Sequence, residues 1–427
     1  MATPVPHFVD EILEEIFLRL PTPAALARAS TACPRFRRII TERSFLRRFR
    51  KRTPPPLLGF ADENGFHPAQ APHPYAPLAR ALAAAADFTY SFVPKPSRGR
   101  WRPCDVRDGR VLLEEDSPGW NKFSDLAVCD PLSRRHLLLP PLPEDPIAVR
   151  KIVPILAPMG DDDETSFKVI CFADNKTKLT AFVFSSVTRQ WCIAASPSWS
   201  SLGTAPAHRS RSISFLGCRG LSCFDNVRGC FYSASPWMDK LLVLDTHRME
   251  FSTVNDRTGY HMQLRLLPGQ ADEVLARNDK PFRKRPGQSR SLPRIVAGRE
   301  GALEMFSLVG DHSPSGSFDL YHTTQQNKGE YSKEWQLEKT IPLPDKYDYF
   351  TLGAAEGFLG ATTEDQLDID EDSRVGLSRT DWDVDYFSLD VKTSELAKIC
   401  RRKRHFFHHE DVYWYFGFPP SLSKPTI

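Results

Sequence analysis

The stretch Leu242-Val243-Leu244-Asp245-Thr246-His247-Arg248-Met249-Glu250-Phe251-Ser252 reads as one β-hairpin: an apolar run ending in Asp, a polar turn, then a second run. The same grammar recurs at Ala127-Val-Cys-Asp130-Pro-Leu-Ser-Arg-Arg-His-Leu-Leu-Leu-Pro140, at Phe182-Val-Phe-Ser185-Ser-Val-Thr-Arg-Gln-Trp-Cys-Ile193 and at Phe387-Ser-Leu-Asp390-Val-Lys-Thr-Ser-Glu-Leu-Ala397. Asp130, Ser185, Asp245 and Asp390 each stand where a short side-chain acceptor bonds the N–H groups of the turn that follows, a local reason for that residue type. A longer, degraded copy runs from Phe318-Asp-Leu-Tyr321 to Trp335-Gln-Leu-Glu338. The first two intervals are 55 and 60 residues, and polar insertions stretch the later ones.

Further short apolar runs lie between the copies, at Phe88–Val93, Gly109–Leu113, Phe167–Phe172 and Val412–Phe418. A hairpin cannot bury both of its faces alone, so repetition at this spacing predicts stacked four-stranded blades, that is, a β-propeller over residues 88–420. Leu57–Phe60 and Phe88–Val93, joined by the strand near the C-terminus, are expected to complete a sixth blade. A β-sandwich or an incomplete propeller is the alternative packing of the same hairpins. The paired glycines of kelch repeats are missing, and Trp382-Asp383 is a lone dipeptide without the Gly-His of WD40 repeats.

Working toward the N-terminus, Thr53-Pro-Pro-Pro56 and Pro68, Pro72, Pro74 and Pro77 mark a connector, residues 53–87, holding a first strand and an alanine-rich helix. Residues 1–52 are helical. Ile12, Leu13, Ile16, Phe17 and Leu20 recur at helical spacing over Asp10–Leu20, with Asp10 placed to cap that helix. Pro21-Thr22-Pro23 stops it and opens a second helix, and a third starts near Pro34 with Phe36, Ile39 and Ile40 on one side. Three short helices in about forty residues cannot bury this much apolar surface among themselves, so the excess is expected to dock on a partner.

The run Phe8-Val-Asp-Glu-Ile-Leu-Glu-Glu-Ile-Phe-Leu-Arg-Leu-Pro21, with Leu26, Ala29, Cys33, Phe36 and Ile39 downstream, resembles an F-box, the module that ties substrate receptors to the SKP-family adaptor of SCF ubiquitin ligases. Phe8-Val9 replaces the usual Leu-Pro opening, and Phe36 stands where Trp is commoner. Asp130-Pro-Leu-Ser-Arg-Arg followed by Leu139-Pro-Pro is similar to an element of the F-box-associated domains of the large plant-type F-box families. The resemblance implies an α+β multidomain chain, a three-helix F-box followed by a propeller-like domain, for which the strands counted above predict six blades. It implies adaptor contact through Phe8, Ile12, Leu13, Ile16, Leu20, Pro21, Leu26, Ala29, Cys33, Phe36 and Ile39. Function follows as a non-catalytic substrate receptor, joined through the adaptor to a cullin and presenting a protein target for ubiquitination. A scaffold without ubiquitin transfer, or a propeller enzyme or carbohydrate binder, are the competing classes.

The 427 residues carry a net charge of +3 and 41% hydrophobic residues, the balance of an ordinary soluble protein. The start lacks a basic and then apolar leader, and no apolar run approaches the roughly 20 residues needed to cross a bilayer. Nine scattered cysteines without a Cys-x-x-Cys pair argue against a disulfide framework and point to a reducing cytosol or nucleus. Arg35, Arg37, Arg38, Arg43, Arg47, Arg48, Arg50, Lys51 and Arg52 form a cationic run, but apolar residues interleave at helical spacing and favour a solvated face over a nucleic-acid surface. Arg283-Lys-Arg285 and Arg401-Arg-Lys-Arg404 are basic clusters of the kind common on loops. His405, His408, His409 and Glu410 lack a helical context for metal binding, and Asp368–Asp372 starts a calcium-loop pattern in which Ser373 replaces the needed Gly. No nucleophile elbow, phosphate loop or dinucleotide fingerprint occurs, so no catalytic residue, metal or cofactor is expected. Polar insertions at Asp161–Glu164, Asn278–Arg290 and Glu364–Asp372 are the expected recognition loops.

Overall fold

The structure, a computed structural model, describes residues 9–20, 23–53, 55–116, 125–143, 149–157, 166–175, 177–203, 224–233, 240–255, 293–298, 302–310, 318–327, 333–344, 347–355, 358–365, 382–404 and 412–417. The N-terminal part contains four helices rather than three: α1 (Asp10–Leu18), α2 (Pro23–Ala32), α3 (Pro34–Ile40) and α4 (Arg43–Arg52). The expected single third helix breaks at Thr41-Glu42. There the Thr41 hydroxyl donates to the Arg37 carbonyl at 2.7 Å and Glu42 turns extended, with φ −67° and ψ 135°. The break lets α4 fold back, so that Phe45 and Phe49 join Leu13, Phe17 and Leu18 of α1, Leu26 of α2 and Ile39 and Ile40 of α3 in one core. Asp10 is not a cap. Val9 holds that position without a side-chain bond, and the Asp10 carboxylate bonds Arg35 and Arg38 instead.

Next come β1 (Leu57–Asp62), β2 (Gly65–Pro68) and α5 (Ala76–Ala85). The first blade is β3 (Arg100–Arg107), β4 (Arg110–Asp116), β5 (Leu126–Asp130) and β6 (Arg135–Leu138). The second is β7 (Val149–Leu156), β8 (Lys168–Asn175), β9 (Leu179–Ser185) and β10 (Gln190–Ala195), and the third β11 (Phe224–Val227), β12 (Cys230–Ser233), β13 (Lys240–Asp245) and β14 (Glu250–Asn255). The fourth is β15 (Arg294–Ala297), β16 (Leu303–Gly310), β17 (Phe318–Asn327) and β18 (Lys333–Pro342), and the fifth β19 (Tyr347–Ala355), β20 (Phe358–Asp365), β21 (Trp382–Asp390) and β22 (Leu396–Arg404). Finally β23 (Tyr413–Phe416) pairs antiparallel with β1, giving a three-stranded sheet β2-β1-β23.

Among the described residues the blade count is therefore five, not six. A three-stranded sheet stands where a sixth blade was expected, because Phe88–Val93 is not a strand. Asp87 accepts from the Thr89 N–H and hydroxyl and from the Ser91 hydroxyl, and Tyr90 takes a positive φ of 58°, which winds the segment into turns. Its large side chains are still used: Phe88, Tyr90 and Val93 are buried, and Phe88 stacks on Phe66 at 4.4 Å.

Strand alternation explains how the ring closes. Leu112 and Val128 face the second blade, where they meet Val169 and Phe184, while Val111 and Cys129 face Tyr415 of the closing sheet. Phe172 and Trp199 pack on Phe231 and Leu244, Tyr232 on Ile295 and Met305, and Phe306 and Phe318 on Tyr349 and Leu389. The last junction sets Tyr386 and Ile399 against Phe60 and Trp414, so every neighbouring pair of sheets shares an apolar core.

The recurring hairpins fall at one place in each blade. Asp130, Ser185, Asp245 and Asp390 all end the third strand, before the turn to the fourth. One carboxylate oxygen of Asp245 takes the N–H groups of His247 and Arg248 at 2.8 and 3.1 Å, and Asp390 does the same for Lys392 and Thr393. Asp130 serves Leu132 and Ser133. Four residues after each acceptor the chain adopts a positive φ of 55° to 60°, at Arg134, Arg189, Met249 and Ser394. The degraded copy is likewise a third-to-fourth hairpin, β17 to β18.

Candidate functional site: the outer face of the first helix

Helix α1 divides its apolar residues between two faces. Leu13, Phe17 and Leu18 are buried in the helical core, while Val9, Ile12 and Ile16 stay 55%, 47% and 45% exposed. Positions 9, 12 and 16 follow helical spacing and so line one stripe. Covering three β-branched side chains that stand about half in water would contribute up to roughly 1 to 1.5 kcal/mol each, about half the value for burial from full exposure.

Of the eleven residues expected to meet the adaptor, Ile12 and Ile16 lie on this stripe. Leu13, Leu26 and Ile39 are buried in the helical core, and Leu20, Ala29 and Phe36 pack half-buried against it, Phe36 edge-on to Phe17 at 5.0 Å. Cys33 caps α3, its Sγ accepting from the Phe36 N–H at 3.4 Å. Phe8 and Pro21 lie outside the described residues, as do Asp161–Glu164, Asn278–Arg290, residues 366–372 and the histidine cluster 405–410.

Electrostatics recast the cationic run. Arg35 and Arg38 clamp Asp10, Arg48 reaches both Glu14 and Glu15 at 2.6 Å, and Arg52 approaches Glu15 at 3.7 Å. Three acids of α1 thus pair with Arg35, Arg38, Arg48 and Arg52 of α3 and α4, which lie far from them in sequence. The basic run Arg401–Arg404 is likewise no loop but part of β22, where Asp385 holds Arg401 and Lys398 at 2.6 to 2.8 Å. Burial works against the Asp385 carboxylate, yet these two cations hold it below the usual range.

Sequence reasoning missed two carboxylates at the centre of the ring. Asp105 of β3 accepts from the Leu156 N–H of β7 at 2.7 Å, and Asp225 of β11 from the Ile295 N–H of β15 at 2.8 Å. Each stands three residues before a two-residue left-handed turn, Asp108-Gly109 or Arg228-Gly229, and that spacing is the signal that would have found them. Burial pushes both carboxyls up, against the pull of Arg107 on Asp105 and of Arg294 on Asp225. Both groups are occupied in tying one blade to the next. Among the described residues no three metal-binding side chains gather, and no helix is long and apolar enough to cross a membrane.

Comparison with known proteins agrees for the helical part: residues 6–48 match the F-box domain. The chain thus carries an F-box domain followed by an all-β propeller. No curated protein matches the chain. Similar solved structures include the WD40 domain of SCAP from fission yeast, 9% identical over 75% of this chain and 82% of that one with a TM-score of 0.28. A luciferin-regenerating enzyme is 9% identical over 72% of this chain and 78% of its own, with a TM-score of 0.29. An exo-β-1,3-galactanase from Clostridium thermocellum, also 9% identical, covers 72% of this chain and 59% of its own at a TM-score of 0.29. Likenesses this distant say nothing of activity.

Proposed function

We propose that this chain is the substrate-recognition subunit of an SCF-type cullin-RING ubiquitin ligase, working in the cytosol or nucleus. The observation that carries the reading is an F-box domain at residues 6–48 whose first helix leaves Val9, Ile12 and Ile16 uncovered. An SKP-family adaptor covers that stripe and links the chain to a cullin, while the propeller holds a target protein. The chain needs no reacting group of its own, because tethering raises the local concentration of target lysines near the ubiquitin-loaded enzyme. Membership of the plant-type F-box families, suggested by Asp130-Pro-Leu-Ser-Arg-Arg, belongs to the same proposal.

The test is co-purification of the tagged full-length chain with the adaptor and a cullin, repeated with Ile12→Asp/Ile16→Asp. Adaptor and cullin should both be recovered with the native chain and both lost with the variant. Recovery of the adaptor without a cullin makes the chain a scaffold, and recovery of neither overturns the reading.

A further inference from the structure

Among the described residues the outermost strand of every blade presents one unpaired edge of backbone N–H and C=O groups, and folded proteins usually guard such edges with charge. Four of the five outer strands here do so. Strand β6 opens on Arg135 and β14 on Glu250, β18 carries Glu338 and Lys339, and β22 carries Arg401, Arg402 and Lys403. Strand β10, Gln190-Trp-Cys-Ile-Ala-Ala195, carries no charged residue and, among the described residues, pairs only with β9. It is also the most openly apolar of them, with Ile193 61% exposed and Val187 70% exposed at the tip of its hairpin. Trp191, two residues before Ile193 and so on the same face, is fixed in place: its indole donates to the Pro140 carbonyl at 2.7 Å and lies against Phe184 at 5.4 Å.

We propose that the free edge of β10 is a docking strand, which takes an extended, uncharged segment of a partner protein as a fifth strand of the second blade. The size of the edge selects the occupant. Six residues span about 20 Å and a sheet is about 10 Å thick, so the strip offers roughly 200 Å² per side. A second copy of this chain would need about 800 Å² per partner for a stable interface, whereas a peptide strand is held by main-chain hydrogen bonds with specificity from alternate side chains. The ladder between β10 and β9 shifts after Ile193, which confines the regular edge to Gln190–Ile193. Lacking a counter-charge, this edge favours a segment that is uncharged where it lies and apolar at the positions meeting Trp191 and Ile193. The inference stands apart from the adaptor assignment, since β10 belongs to the propeller.

The probe is a fluorescein-labelled soluble peptide with a central valine–threonine alternation and lysines only at its ends, titrated into the full-length chain. Binding should weaken at least about tenfold in Ile193→Lys and stay unchanged in Leu337→Lys, which charges an already charged outer strand. Amide hydrogen exchange of the native chain supplies a readout independent of any variant: the peptide should slow exchange at Gln190–Ile193 and leave α1 unaffected. Absence of binding, protection elsewhere, or equal binding by a folded Ile193→Lys variant overturns the proposal. A concentration-dependent dimer in sedimentation that is lost in Ile193→Lys overturns it in favour of a second copy.

Discussion

Ile16 and Leu20 are indistinguishable by spacing, both apolar and one helical turn apart, yet they do different work. Ile16 points into solvent and Leu20 packs against the helical core. Replacing Ile12 and Ile16 with Asp should therefore leave the unfolding midpoint within the range of a surface change while each costs roughly 2 to 4 kcal/mol of adaptor affinity, measured by calorimetric titration. Leu26→Ala is the reverse case. The side chain is fully buried, so truncation should cost about 2 to 5 kcal/mol of stability in urea denaturation, with adaptor binding falling only as the helices unfold. Periodicity in the sequence shows which residues are apolar and in phase, and so finds both sets. It cannot divide a wide stripe between the chain's own core and a partner, because that depends on where α4 returns, and the Thr41-Glu42 break that sends it back is two residues long. The charge of Asp10 was equally visible, but its partners Arg35 and Arg38 lie 25 and 28 residues away.

At the level of elements, the third-to-fourth hairpins were legible because the interaction that shapes them is local: one side-chain oxygen and two N–H groups within three residues. Asp245→Ala should destabilise the propeller by about 1 kcal/mol, read from thermal unfolding near neutral pH. The N–H groups of Arg248 and His247 hold the Asp245 carboxyl below its ordinary value. Because the folded value is the lower one, the stabilisation is complete above the ordinary carboxylate pKa of about 4 and fades as pH falls through the folded value. The gap between the native chain and Asp245→Ala should accordingly narrow progressively in scans taken further and further below about pH 4. Phe88–Val93 misled for the opposite reason. Its aromatic content fits a strand, but Asp87 rewrites the backbone from one residue outside the run.

Across the whole molecule, the repeated hairpins were enough to indicate a propeller, and closure was legible only in outline, since β1 and β23 are far apart in sequence and each is short. Phe60 sits at that closure, fully buried between Tyr386 at 4.3 Å and Trp414 at 5.8 Å. Phe60→Ala should cost about 3 to 5 kcal/mol and lower the unfolding of all blades together, seen as one shifted transition by circular dichroism, while adaptor binding persists. The pairing of β1 with β23, backed by the Tyr415 hydroxyl donating to the Gly109 carbonyl at 3.3 Å, also sets an order in time. About 360 residues separate the two strands, so at a synthesis rate of roughly 5 to 20 residues per second β1 waits on the order of 20 to 70 s for its partner to leave the ribosome. The core of α1 to α4 is built from residues before 50 and so has left the ribosome before that wait begins. The nascent blades meanwhile carry an open apolar junction, the kind of surface on which incomplete chains aggregate.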